Sequence, residues 1–286
     1  MKYKILKNER KFLKFSIASA INRFGDSIDV IALTWLVYAL SGDAIYSAIN
    51  FGINYLPTII LTPFMGAFIE KRNKKLIMAL SDILRSILVI VIIILYTFHH
   101  LNVYFIMIIT CLISVLETLR VPASTTFITL IISSEKYDIA QSFYTSCSKM
   151  LEILGTGLAG IFLSMCGVIF TLVIDSISFF ISGVIVYSIY IKEENINYRL
   201  STLSLFKQGF IYAKNKPSLI FLCMICCCAN AFLVPLNAFS SALSVEVYHD
   251  GPKIISYLNM GFSIGSVLVL ISRLFEQKNE RTSQIK

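Results

Sequence analysis

The chain has 286 residues, of which 56% are hydrophobic and only 15% charged, with a mean hydropathy of +0.76 and a formal net charge of +8. Soluble domains carry roughly a quarter of charged residues, so this composition excludes a water-soluble globular domain. The sign of the charge alone does not identify a partner, and its distribution along the chain decides what it means.

A helix needs about 20 apolar residues to cross ~30 Å of hydrocarbon. By that measure the sequence predicts an all-α polytopic membrane protein with spans at 15–40, 44–69, 76–97, 102–130, 138–165, 167–191, 217–243 and 251–275. The first segment follows a basic tail, as a secretory signal does. Arg23, Asp26 and Asp29 break its apolar core, however, and it runs on to Leu40, so no cleavage is expected. Trp35 and Tyr38 near its outer end, with Tyr96 and Tyr104 around His99-His100, fit an interfacial aromatic belt.

Short loops rich in Lys and Arg stay in the cytoplasm. With the N-terminus inside, twenty of the 25 basic residues fall on that side: the tail from Lys2 to Lys14, the loop of Lys71, Arg72, Lys74 and Lys75, then Lys136, the segment 192–216, and Arg273 to Lys286. Only Lys253 falls outside, and Arg23, Arg85, Arg120 and Lys149 lie within spans. The expected topology therefore places both termini in the cytoplasm, in a cell (inner) membrane, with outer turns near Ser41-Gly42-Asp43, His99-His100, Cys166-Gly167 and His249-Asp250. The positive charge is a topology signal and a contact for lipid headgroups, and it calls for no nucleic-acid partner.

Cys223, Cys226, Cys227 and Cys228 cluster on one predicted helix. Consecutive positions there point to different sides, so packing is preferred over metal ligation. The histidines at 99, 100 and 249 have no ligand partner nearby. No phosphate loop, nucleophile elbow or zinc-protease helix is present, so no enzyme activity, metal or cofactor is expected.

The chemistry lies in intramembrane charge, which costs ~2.5–3.5 kcal/mol per group at the bilayer centre on insertion scales. Four pairs stand three residues apart, the spacing of neighbours on a helix: Arg23 with Asp26, Asp82 with Arg85, Glu117 with Arg120, and Lys149 with Glu152. Asp29 and Asp175 have no basic partner on their own helices. Ser19, Asn22, Arg23, Asp26 and Asp29 form a polar stripe that must face a bundle interior or an aqueous cavity. Cavity lining with a substrate or proton role is preferred there over a packing network. Packing is preferred for Asp82 and Arg85, and for Lys149 and Glu152 beside Gly155, Gly157 and Gly160. Glu117 and Arg120 precede Pro122, a position that suits either a gating kink or simple packing.

Gly66-Ala67-Phe68-Ile69-Glu70-Lys71-Arg72-Asn73-Lys74-Lys75 resembles the cytoplasmic signature loop of the major facilitator superfamily, with Glu70 for the usual Asp and Asn73 where Gly is often found. Gly25-Asp26, Thr34-Trp35-Leu36-Val37-Tyr38, Val121-Pro122-Ala123 and the run from Asp175 to Ser182 resemble its macrolide-efflux-like branch. The resemblance implies two six-helix halves around a central cavity that opens alternately to each side. It places the first and fourth spans on the cavity and the third and sixth at the periphery. Arg23, Asp26, Asp29, Glu117 and Arg120 then become candidates for proton coupling or cavity lining, and Asp82, Arg85, Lys149, Glu152 and Asp175 structural charges.

Ser47, Asn50, Gly52 and Leu61 recur as Ser256, Asn259, Gly261 and Leu270, an internal repeat that fits two halves. The division expected is a complete N-terminal half at 1–191, a cytoplasmic connection at 192–216 and part of a second half at 217–286. Twelve spans and their loops take roughly 400 residues, so by this resemblance four spans are missing. The implied function is proton-coupled efflux of small amphipathic drugs such as macrolides. The alternatives are a permease for an unrelated metabolite, and a truncated, non-transporting product or a subunit that needs a complementing chain.

Overall fold

The computed structural model describes residues 5–70, 72–191, 211, 214–249, 252–255, 257–258, 260–261 and 265. The chain forms α1 (Arg10–Ser41), α2 (Ala44–Glu70), α3 (Lys74–Thr97), α4 (Val103–Ile131), α5 (Tyr137–Met165), α6 (Gly167–Ser188) and α7 (Pro217–Ala238). A short helical turn at Ser240–Ala242 and a π-helical turn at Leu243–Val247 follow α7. Among the described residues, six helices, α1 to α6, are long and apolar enough to cross a membrane. Lys71, most of the connection 192–216, most of the eighth predicted span, and Ser256, Asn259 and Leu270 of the repeat lie outside the described residues.

The connections are short and their chemistry explains where each helix stops. Gly42 takes a left-handed conformation (φ 66°) after α1 and returns its N–H to Tyr38 O at 2.8 Å. Gly167 (φ 84°), His99 (φ 56°) and His249 (φ 52°) mark three more reversals, at the turns expected from the sequence. Asn73 caps α3: its side chain accepts from Leu76 N–H at 2.9 Å with φ −70°. The turn into α3 thus needs no glycine at that position.

α1 is the central element, packed on α5 and α6, while α3 packs on α6 and α4, and α2 on α4. Small residues set the closest approaches. A Cβ at Gly155 of α5 would stand 2.6 Å from the backbone oxygen of Phe24, and one at Gly183 of α6 would stand 3.1 Å from that of Ala79. Ser47 Oγ donates to Thr34 O at 3.0 Å between α2 and α1, and the Thr58 and Thr118 hydroxyls meet at 3.0 Å between α2 and α4.

The interior is layered. One apolar cluster takes Phe12, Phe15, Met78, Phe127 and Val186; the other takes Leu33, Leu36, Val89, Ile92 and Ile109. Between them α1, α3, α4 and α6 contribute a buried polar layer that includes Asn22, Asp82, Arg120 and Ser182. Outside, Leu80, Leu84, Ile87 and Ile94 of α3 and Phe180 and Val184 of α6 are exposed, as a hydrocarbon solvent permits.

Because the Gly155 contact is with backbone, Gly155→Ala is expected to cost about 1–3 kcal/mol. Gly52→Ala, with no described residue within 4 Å of the added carbon, should be neutral or stabilise by up to about 1 kcal/mol. Unfolding in mixed micelles, followed by the fluorescence of the single tryptophan, Trp35, measures both.

Candidate charge-relay site

Asp82 is fully buried on α3 and gathers donors from three other helices. Oδ1 accepts from Arg120 Nε of α4 at 2.6 Å and from Asn22 Nδ2 of α1 at 3.0 Å, and Oδ2 accepts from Ser182 Oγ of α6 at 2.7 Å. Arg120 Nη2 also donates to Ser182 Oγ at 3.3 Å. The carboxylate is thereby surrounded by hydrogen bonds, the condition for keeping a charge out of water.

A second set begins one turn further along α1. Asp26 Oδ1 pairs with Arg85 Nη2 of α3, whose guanidinium lies over the Phe179 ring of α6 with its carbon 4.0 Å from the centroid. Asp26 Oδ2 and Glu117 Oε1 of α4 both stand 3.4 Å from Arg23 Nη1. Arg23 and Glu117 are partly exposed, whereas Asp26 and Arg85 are buried. The set therefore runs from the open face of α1 and α4 into the α3–α6 interface.

Two of the four pairings expected from spacing are replaced. Asp82 pairs with Arg120 rather than Arg85, Arg85 with Asp26, and Glu117 with Arg23 rather than Arg120. Spacing of three brings side chains near each other on one helix, but a buried carboxylate needs several donors, and only neighbouring helices supply three at once. Arg23 with Asp26 pairs as expected, and Lys149 Nζ lies 2.5 Å from Glu152 Oε1, with Lys149 57% exposed.

Among the described residues Asp29 and Asp175 are buried without an ion pair, and Asp175 of α6 lies against Gly25 of α1, one turn from Asp29. The polar stripe of α1 thus turns into the bundle, with Arg23 at its open edge. In the loop after α2, Lys74 Nζ donates to Glu70 O at 2.8 Å, Arg72 lies 5.3 Å from the Phe68 ring centroid and Lys75 5.2 Å from that of Tyr187, while a Cβ at Gly66 would meet none of the described residues.

Asn22 reaches this site from the polar stripe expected on α1, whereas Ser182 and Phe179 hold it from α6 without having been singled out for it by sequence. The seven-residue interval from Asp175 to Ser182 was the available signal, since it places both on one face of α6.

The sequence profile of the Major Facilitator Superfamily matches residues 15–280. The chain belongs to the major facilitator superfamily. It is therefore a multi-pass membrane protein of all-α facilitator fold, in a superfamily of transporters rather than enzymes. It is similar to two proteins of Bacillus subtilis (strain 168), the uncharacterized MFS-type transporters YvqJ and YkuC. YvqJ is 24% identical over 272 residues, covering 93% of this chain and 64% of YvqJ; YkuC is 23% identical over 287 residues, covering 94% of this chain and 66% of YkuC. The chain thus spans about two thirds of the length of these superfamily members.

Double-mutant cycles with alanine separate the observed pairing from the spacing-based one. Asp82/Arg120 and Asp26/Arg85 are expected to couple by about 1–3 kcal/mol, and Asp82/Arg85 by at least about 1 kcal/mol less. Unfolding free energies in mixed micelles give the three values, and equal coupling in all three would contradict the assignment.

Proposed function

We propose that the protein is a secondary active transporter of the cell membrane, exporting amphipathic small molecules such as macrolides in exchange for protons by alternating access. The observation that carries this reading is the ion chain from partly exposed Glu117 and Arg23 through Asp26 to buried Arg85. Facilitator membership supplies the transport class. The chain supplies a physical link between an accessible face and an intramembrane carboxyl set, which exchange of a charged or polar solute for a proton requires. Around Glu117 and Arg23 the face presents Tyr55 and the Lys149–Glu152 pair on α5, a mixture of aromatic surface and both signs of charge suited to an amphipathic molecule.

In this reading α1–α6 form the N-terminal half, 192–216 the cytoplasmic connection and 217–286 part of a second half. Asp26 and Asp29 form the polar centre. Arg23 and Arg85 hold Asp26 ionised, and Asp29 is the acid that exchanges its proton during transport.

Cells carrying the gene are expected to tolerate severalfold more of an amphipathic drug such as a macrolide, and Asp29→Asn should remove that gain with membrane levels unchanged. Unaltered susceptibility to every drug tested would sink the efflux reading; Asp29→Asn with normal export and the same dependence on the pH gradient would sink the coupling assignment.

In this reading, which the distribution of basic loops supports, both termini lie in the cytoplasm. A single cysteine at position 73, in a cysteine-free background, should react with an impermeant maleimide only after the cells are opened. Strong labelling from outside intact cells would reverse the orientation.

A further inference from the structure

Five buried or half-buried carboxyls, at Asp26, Asp29, Asp82, Glu117 and Asp175, share the polar layer with three guanidinium groups, at Arg23, Arg85 and Arg120. Assigning the ion pairs uses all three cations on Asp26, Asp82 and Glu117. Asp29 and Asp175 remain, 1% and 0% exposed.

They meet across the α1–α6 crossing. Gly25 lies one turn before Asp29, and a Cβ there would stand 3.2 Å from Asp175 Oδ1 and 3.1 Å from Phe179 Cε1. Asp175 thus reaches α1 one turn from Asp29, close enough for each carboxyl to act electrostatically on the other. Among the described residues no N–H or O–H donates to Asp29 Oδ1 or to either oxygen of Asp175. Arg85 is at the same place, over the Phe179 ring, with Nη2 on Asp26 and with Nε and Nη1 unpartnered among the described residues. The other charged groups around the pair are Asp26 on α1 and Glu117 on α4, while Lys149 and Glu152 of α5 lie at the open face.

Ionised carboxylates are acceptors only, so two of them cannot hydrogen-bond each other; a carboxyl and a carboxylate can, with one proton between them. We infer that Asp29 and Asp175 form a carboxyl pair that binds one proton at the α1–α6 interface, with Arg85 as the adjacent cation that answers the proton's loss. When the proton leaves, the O–H bond breaks, the proton passes to water at the open face, and the pair changes from one negative charge to two. The unpartnered nitrogens of Arg85 then swing toward it, and Asp26 is left to Arg23. Proton occupancy thereby selects between two ion-pair arrangements joining α1, α3 and α6.

This inference deepens the coupling reading, which named Asp29 alone, and its test is separate from transport. Infrared spectra of the purified full chain in lipid nanodiscs at neutral pH should contain a protonated-carboxyl carbonyl band that moves when carbon-13-labelled aspartate is incorporated. Asp29→Asn and Asp175→Asn, each close in shape to a protonated acid, should both remove it, and Glu117→Gln should leave it. If either variant fails to fold, the isotope shift and its loss on raising the pH of the wild-type protein carry the test. Absence of an aspartyl band, its survival in both Asn variants, or its removal by sodium at fixed pH would overturn the inference, the last in favour of a metal-cation site. A band that behaves as expected, with export indifferent to Asp29→Asn, would leave the pair standing and refute coupling. Loss of proton-driven export without any such band would do the reverse.

Discussion

A carboxylate placed in hydrocarbon survives only where donors surround it, and Asp82 is where four helices meet that demand. Effective penalties for burying an unpaired charge run to several kcal/mol, more than most single helix contacts return. Arg120, Asn22 and Ser182 approach Asp82 from α4, α1 and α6, so none of these helices can turn by a residue without stripping a donor. Register in this bundle is therefore held by polar contacts. The apolar clusters above and below are less discriminating, because lipid tails solvate a misplaced Leu as well as a neighbouring helix does.

The two charge sets differ in how firmly they are held. Around Asp82 the bonds are direct and enclosed. At Arg23 one nitrogen stands 3.4 Å from both Asp26 and Glu117, so a small rotation favours either acid, and the residue is partly exposed. A solute that offers Glu117 a cation or Arg23 an anion changes that balance by its differential affinity for the two arrangements. Arg85, bound to the same Asp26, then feels the change from within. Under the proposed exchange cycle, the enclosed set supplies the rigid frame and the shared arginine the moving part.

Much of the fold was legible because membrane length and turn chemistry are local signals. Predicted spans such as 44–69 and 138–165 match Ala44–Glu70 and Tyr137–Met165 closely, since a run of about 20 apolar residues has few other uses. Turns at Gly42, His99 and Gly167 follow from breaks in those runs. The Gly155 crossing was equally visible as a small-residue stripe, although only coordinates identify Phe24 as the group it admits.

The site was less legible because its partners are distant in sequence. Spacing showed which residues carry charge and which face of a helix they share, but not how neighbouring helices are rotated. That rotation gives Arg120 to Asp82 across 38 positions and Arg85 to Asp26 across 59. Asp29 and Asp175 illustrate the same limit from the other side. Each has no basic residue at helical spacing, a deficiency plain in the sequence, yet that deficiency becomes chemistry only once α1 and α6 cross at Gly25 and set one carboxyl against the other. An unpaired acid in a span is thus best read as half of a contact whose other half lies on another helix.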